Sequence, residues 1–135
     1  MAHDFYLEII TSERKFFQGK VEMVIVPGLD GELGILKNHV PMVTAIDVGM
    51  VRIKQNNEWK EAAVSEGFME VRPDETIILA QAAEWPEEID VNRALAAKAR
   101  AEKRLRQRRS MKEYIQSKTS LARALSRLRI KNRNV

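Results

Sequence analysis

The first two thirds of the chain carry short apolar runs, alternating or β-branched, of the kind that favours β-strands. Each run ends near Gly, Pro or Asn, residues that favour turns. The runs that predict strands most directly are Phe5–Ile10, Val21–Val26, Val51–Lys54, Phe68–Val71 and Thr76–Ala80. No long helical pattern interrupts them. We therefore predict an antiparallel β-sandwich of about eight to ten short strands over residues 1–86.

After Pro86 the apolar residues recur at helical spacing. Asp90 is a favourable N-cap for a first helix that we expect to run to about Arg108. Ser110 and Glu113 have the spacing of a capping box, which predicts the start of a second helix. The two apolar stripes consist of Val91, Ala94, Leu95, Ala101 and Leu105, then Met111, Ile115, Leu121, Leu125 and Leu128. Because the link between the helices is short, an antiparallel hairpin is the natural arrangement.

The chain as a whole therefore predicts an α+β fold, in which an N-terminal antiparallel β-sandwich is followed by a C-terminal antiparallel two-helix hairpin. We expect two domains, residues 1–86 and residues 87–135. Both helical stripes are narrow and rich in Ala, so the hairpin buries little area and is only marginally stable alone. The hairpin is thus expected to be an element that docks, undocks and extends.

The two predicted domains carry opposite charge. Residues 1–86 hold 8 Lys and Arg against 14 Asp and Glu, a net charge of −6, whereas residues 87–135 hold 15 against 5, a net charge of +10. The basic half is therefore the part of the chain expected to meet an anion.

Several function classes are poorly supported by the sequence. The chain has no Cys, which excludes disulfides and thiolate metal sites. It has no apolar run near the roughly 20 residues that span a bilayer, and its first residues lack the pattern of a signal peptide. His39 is expected to be a hydrogen-bonded turn residue, and Gly28–Gly34 a glycine turn without the Lys-Ser/Thr of a phosphate loop. We expect neither a catalytic constellation nor a metal site.

Arginines and a lysine line the polar faces of both predicted helices. They are Arg93, Arg100, Arg104 and Arg108 on the first helix, and Arg123, Arg127 and Lys131 on the second. Three interpretations stay open: a solvated face, a nucleic-acid surface, and a discrete site for a polyphosphate or an acidic protein. With Tyr114 as the only aromatic residue of this half, stacking on bases is poorly supported.

Three segments of the predicted β-sandwich, residues 1–86, which we call the body, have a sequence pattern typical of one family. Gly31–Pro41, Val48–Ile53 and Ser65–Val71 resemble the epsilon subunit of F-type ATP synthases, and the resemblance extends over essentially the whole chain. The sequence has Lys37-Asn38 where Pro-Gly is common before the His of the pattern, which changes a turn.

The resemblance implies a non-catalytic, regulatory subunit of an ATP synthase that translocates protons or sodium ions. In the family, the sandwich binds the gamma subunit and sits on the c-ring, as part of the rotor's central stalk. The hairpin leaves the enzyme free when folded down. When extended, it reaches the alpha and beta subunits and suppresses ATP hydrolysis, and an acidic loop of beta would then face Arg100, Arg104 and Arg108. The implied location is peripheral, on the cytoplasmic face of the cell membrane, with neither membrane insertion nor nucleic-acid binding.

Some bacterial members bind ATP as a regulatory ligand in the folded-down state. Their motif at the start of the first helix is complete here as Ile89–Ala94, and it contains Asp90, Arg93 and Ala94. The family pattern also matches Glu84, Arg123 and Arg127. The two second-helix arginines would contact the phosphates, and Arg93 would either support them or fix Asp90. The two carboxylates would accept hydrogen bonds from the adenine amino group or the ribose hydroxyls. The resemblance leaves the role of Mg²⁺ open.

Overall fold

A computed structural model describes residues 3–107 and 110–133. Within these ranges ten strands precede two helices. The strands are β1 (Phe5–Ile10), β2 (Lys15–Val21), β3 (Met23–Gly28), β4 (Gly31–Ile35), β5 (Met42–Ile46), β6 (Gly49–Gln55), β7 (Glu58–Val64), β8 (Gly67–Val71), β9 (Glu75–Ala80) and β10 (Ala83–Glu84). A short 3₁₀ turn, Pro86–Glu88, joins them to helices α1 (Val91–Gln107) and α2 (Met111–Arg133). The predicted fold, a β-sandwich followed by a helical hairpin, is confirmed.

The strands are hydrogen-bonded in the order β10-β7-β6-β3-β5-β8-β9-β1-β2, and β4 adds to β3. The link between β3 and β5 is the single pair Gly28 and Ile46, so the sheet can fold over there into two halves. The pairs are antiparallel, except that β1 runs parallel to β9. A parallel pair needs a long crossover connection, which the local turn signals of the sequence do not reveal.

The core of the body lies between the two halves of the sheet. Alternate residues of β1 are buried, so that Leu7 and Ile9 have no exposed surface. They share one cluster with Val24 of β3, Ile53 of β6 and Ile78 of β9. Burying each such side chain contributes roughly 1.5–3 kcal/mol. This core includes no residue of either helix, so the body keeps it whether or not the helices are docked.

Turn residues behave as their types require. Asn56 and Asn57 have φ angles of 54° and 63° between β6 and β7, the left-handed conformation that a tight hairpin needs. Gly31 has a φ of 124°, in agreement with the glycine turn predicted there. The Nδ1 atom of His39 lies 2.8 Å from the carbonyl oxygen of Val40, as expected for a hydrogen-bonded turn residue.

The two helices form a hairpin whose contact is made by small side chains. Ala94 and Ala101 of α1 and Ala124 of α2 are buried, as is Ser117. Larger apolar side chains of the hairpin stay exposed, namely Leu95, Met111, Ile115 and Leu125. The area that the helices bury in each other is therefore modest. Over the described residues, neither helix is both long and apolar enough to cross a bilayer.

Helix α2 docks on the body through its C-terminal half. Ile130 is 1% exposed and belongs to a small second cluster with Ala63 and Ile89, to which Met50 adds its partly buried side chain. Ser126 donates a hydrogen bond from its Oγ to the carbonyl oxygen of Gly49, at 3.0 Å. A separate, small apolar anchor thus holds the hairpin in the folded-down position.

Candidate functional site

An open cleft of about 660 Å³ lies where the hairpin meets the body. Its volume is in the range of small-molecule sites, about 300–1,000 Å³. The β1–β2 turn, the residues around β10 and the start of α1 form its walls, and α2 contributes one residue. The lining comprises Thr11, Glu13, Arg14, Gln81, Ala82, Ala83, Glu84, Glu88, Asp90, Arg93, Ala94, Ala97, Arg100 and Arg127. The strand-rich body and the helical hairpin therefore both contribute to one cleft.

The start of α1 brings three of the predicted site residues together. The Oδ1 atom of Asp90 accepts the backbone N–H of Arg93 at 3.2 Å, so Asp90 is the N-cap that the sequence predicted. The backbone N–H of Ala94 donates to the carbonyl oxygen of Asp90 at 3.0 Å and begins the helical ladder. Ala94 is buried, and its methyl group leaves room for the neighbouring helix. Asp90 thus caps the helix and lines the cleft at the same time.

Arg127 ties α2 to the edge of the body. Its Nε atom donates to Oε1 of Glu84 at 2.6 Å, and both side chains are about 30% exposed. The Nη atoms of Arg127 carry no hydrogen bond to any residue that the structure describes. Arg127 therefore keeps donors for a ligand while its pair with Glu84 fixes the side chain.

Arg123 lies one helical turn before Arg127 but does not line the cleft. It forms an ion pair with Glu66 and borders a much smaller depression beside the cleft. Burial raises the pKa of Glu66, but hydrogen bonds from Arg123 and from the backbone outweigh that effect, so the pKa lies below its usual value. A phosphate contact from Arg123 remains a prediction, since the guanidinium is already paired.

The predicted basic face of α1 is divided. Arg100 lines the cleft, seven residues after Arg93 on the same side of the helix. Arg104 is exposed outside the cleft, whereas Arg108 lies outside the described residues. Arg93 and Arg100 form no ion pair with a carboxylate in the part of the chain that the structure describes. Arg100 is therefore a cleft residue as well as a member of the predicted partner-binding face.

Sequence reasoning missed Arg14 and Glu88. The Nη2 atom of Arg14 lies 2.8 Å from the Glu88 carboxylate and donates to the carbonyl oxygen of Ala83 at 3.3 Å. The pKa of Glu88 is lowered by hydrogen bonds from Arg14 and from the backbone N–H of Trp85. The two residues are 74 positions apart, so no local motif relates them. Thr11 is a residue type that favours turns, so the sequence indicates a turn here. It does not indicate which surface the turn faces.

Four arginines and four carboxylates therefore line the cleft. Guanidinium groups bind phosphate oxygens through bidentate, charge-assisted hydrogen bonds, while carboxylates accept bonds from amino and hydroxyl groups. No group of three potential metal ligands occurs in residues 3–107 and 110–133. The lining therefore offers partners both for a phosphate chain and for the hydrogen-bond donors of the same ligand.

Comparison with known proteins identifies relatives over nearly the whole chain. The family model "ATP synthase, Delta/Epsilon chain, beta-sandwich domain" matches residues 4–86, and "ATP synthase, Delta/Epsilon chain, long alpha-helix domain" matches residues 87–132. The ATP synthase epsilon chain of Ruminiclostridium cellulolyticum is 53% identical over 129 residues, an alignment that covers 96% of each chain.

Two solved structures share the fold. A chain of the Euglena gracilis mitochondrial ATP synthase, in the OSCP/F1/c-ring structure in rotational state 1, matches with a TM-score of 0.77 and 21% identity over 88% of this chain and 76% of that one. A chain of the central stalk and c-ring of the Tetrahymena thermophila mitochondrial ATP synthase matches with a TM-score of 0.65 and 8% identity, over 94% and 96%.

Proposed function

The chain belongs to the family of bacterial ATP synthase epsilon chains, and from this premise we propose that it is a regulatory, non-catalytic rotor subunit whose hairpin responds to ATP. In this proposal the body binds the gamma subunit and the c-ring within the central stalk. The subunit is peripheral, on the cytoplasmic face of the cell membrane, because it joins the complex through protein partners.

An exposed apolar patch on the body supports protein partners. Val43 of β5, Phe68 of β8 and Leu79 of β9 are each more than half exposed on neighbouring strands. Phe68 and Leu79 are direct cross-strand neighbours in the register of the sheet. Large apolar side chains exposed next to each other are typical of an interaction surface. We assign this patch to a rotor partner of the subunit.

The observation that carries the ATP proposal is the cleft itself. Five predicted residues line it, and they come from both sides of the joint between body and hairpin: Glu84, Asp90, Arg93, Ala94 and Arg127. We assign the phosphates to the arginines, and the amino or hydroxyl groups of the nucleotide to Glu84 and Asp90. Because a ligand in such a cleft touches both domains only when the hairpin is down, binding stabilises the folded-down state.

The size of that stabilisation follows from the concentration of the ligand. A ligand specific for one state stabilises it by RT ln(1 + [L]/Kd), about 2.7 kcal/mol at a hundred times Kd. The anchor that it assists is small, since Ile130 is the deeply buried large side chain of the contact between α2 and the body. The free energy of ligand binding is therefore comparable with the free energy of the contact that it supports.

When ATP falls, the hairpin in this proposal extends toward the alpha and beta subunits and suppresses ATP hydrolysis. The exposed Arg104, with Arg100 and Arg108, then faces an acidic loop of beta. Opposite charges favour such docking and accelerate it. The same helices thus serve as the nucleotide sensor and as the inhibitor.

A calorimetric titration of the isolated chain tests the ATP proposal, with ADP and a short DNA duplex as controls. Saturable one-to-one binding of ATP that exceeds the binding of ADP is expected. The double variant Arg123→Ala with Arg127→Ala should lose this binding, while its body should melt at the wild-type temperature. Normal ATP binding by the double variant would contradict the site assignment.

A further inference from the structure

We propose that Arg14 is the body's own phosphate-binding residue in the cleft. It would hold the phosphate chain of a nucleotide against the arginines of the hairpin. This inference rests on the proposed function, since it assumes that the cleft takes a nucleotide. It adds a residue from the β1–β2 turn, far in sequence from the motif at the start of α1.

The turn fixes where Arg14 lies. The Oγ1 atom of Thr11 accepts the backbone N–H of Glu13 at 3.3 Å and that of Arg14 at 3.2 Å. Two such bonds to one hydroxyl define a compact turn with little backbone freedom. The turn therefore presents Arg14 to the cleft in a definite position.

The guanidinium is held by three further contacts. Its Nη2 atom bonds to Glu88 and to the carbonyl oxygen of Ala83. Its carbon lies 5.1 Å from the ring centre of Phe16, a cation–π distance. Within the described ranges, Nε and Nη1 carry no hydrogen bond. These contacts thus hold one side of the Arg14 guanidinium, and the N–H groups of Nε and Nη1 stay available to an anion.

The charge distribution gives Arg14 a distinct role. The other cations of the cleft, Arg93, Arg100 and Arg127, belong to the hairpin. An anion bound by the hairpin alone would travel with the hairpin and would not hold it down. An anion bound by Arg14 as well joins the hairpin to the body. Arg14 therefore couples phosphate binding to the folded-down state.

The competing explanation is that Arg14 only clasps Glu88 and so steadies the turn that leads into α1. The variant Glu88→Gln separates the two roles, because it weakens the clasp and leaves the cation in the cleft. If Arg14 binds phosphate directly, Glu88→Gln should bind ATP more tightly than Arg14→Gln does, because the cation stays in the cleft. If Arg14 only clasps, Glu88→Gln should weaken ATP binding as much as Arg14→Gln.

Calorimetric titration of the full chain with ATP, and separately with tripolyphosphate, provides the test. We expect Arg14→Gln to lower the affinity for both ligands about tenfold or more, since charge-assisted hydrogen bonds are stronger than neutral ones. Arg14→Lys should recover part of the loss. The matched control is Lys15→Gln, which removes the adjacent cation, paired with Glu8 outside the cleft, and should change affinity less than about twofold.

The outcomes distinguish the two proposals. A wild-type chain that does not bind ATP overturns the proposed function, and this inference with it. A wild type that binds ATP, together with an Arg14→Gln variant of equal affinity, overturns this inference alone. Equal losses in Arg14→Gln and Glu88→Gln also overturn it, in favour of the clasp.

Discussion

Glu66 and Arg123 form an ion pair that joins the body to α2, and both side chains are about one third exposed. At this exposure, solvent screens much of the attraction, so we expect a coupling of about 0.5–1 kcal/mol. A double-mutant cycle with Glu66→Gln and Arg123→Ala measures it through the fraction of docked hairpin. The double variant should dock about as well as the worse single variant, whereas strictly additive losses would contradict a direct contact.

Removing the apolar anchor should release the hairpin without unfolding the body. Ile130 is almost fully buried in a cluster separate from the main core. Truncation of such a side chain typically costs about 2–5 kcal/mol. Ile130→Ala should therefore expose the amides of α2 to hydrogen exchange, while the strands keep their protection. Leu125→Ala is the control, because Leu125 is 40% exposed and should have a much smaller effect. A loss of protection throughout the strands would contradict the claim that the hairpin can be released while the body stays folded.

Acid should also release the hairpin. Glu66, which pairs with Arg123 of α2, has a pKa below the ordinary value of 4.5 in the docked structure. When docking lowers the pKa of a carboxyl group, the ionised group stabilises the docked state. This stabilisation is complete at pH values above the ordinary pKa, and it is lost as the pH falls through the lowered pKa. The docked fraction should therefore be constant above about pH 5 and decline below about 4.5.

The variant Glu66→Gln provides the control for the acid response. It should start from a smaller docked fraction and depend less on pH in this range. An unchanged pH response in this variant would assign the titration to other groups.

How much the sequence predicts depends on whether an interaction is local. The N-cap Asp90, the glycine turn at Gly31 and the hydrogen bond from the Glu113 N–H to Ser110 Oγ lie within a few residues, and the structure contains all of them. Their geometry is set by neighbouring backbone groups, which a sequence displays directly.

Contacts between distant parts of the chain could not be predicted in the same way. The parallel pairing of β1 with β9 and the approach of Arg14 to Glu88 depend on how the sheet folds over. The pairing of Arg123 with Glu66 likewise depends on the docked position of α2. The sequence therefore predicted which residues cap the helices and which carry charge, but it did not predict the partner of each cation.

The basic face of α1 should matter only in the assembled enzyme. Arg104→Gln with Arg108→Gln should weaken inhibition of ATP hydrolysis, because the variant removes two of the charges that the proposed docking on beta uses. The same variant should bind ATP normally in isolation, since Arg104 lies outside the cleft. Arg100 is left unchanged in this test because it lines the cleft. Hydrolysis rates at several salt concentrations check the result, and undiminished inhibition would make these residues a solvated face.

The most direct measurement of the proposed switch follows the position of the hairpin in the isolated chain as ATP is added. The chain has no Cys, so two cysteines can be introduced for labels, one on an exposed strand of the body and one on α2. The distance between the labels is then measured with ATP, with ADP and with neither, each with and without Mg²⁺. ATP should shift the distribution toward the docked distance more than ADP does, and Arg127→Ala should abolish the shift. A distribution that does not change at saturating ATP would contradict the claim that the nucleotide holds the hairpin down.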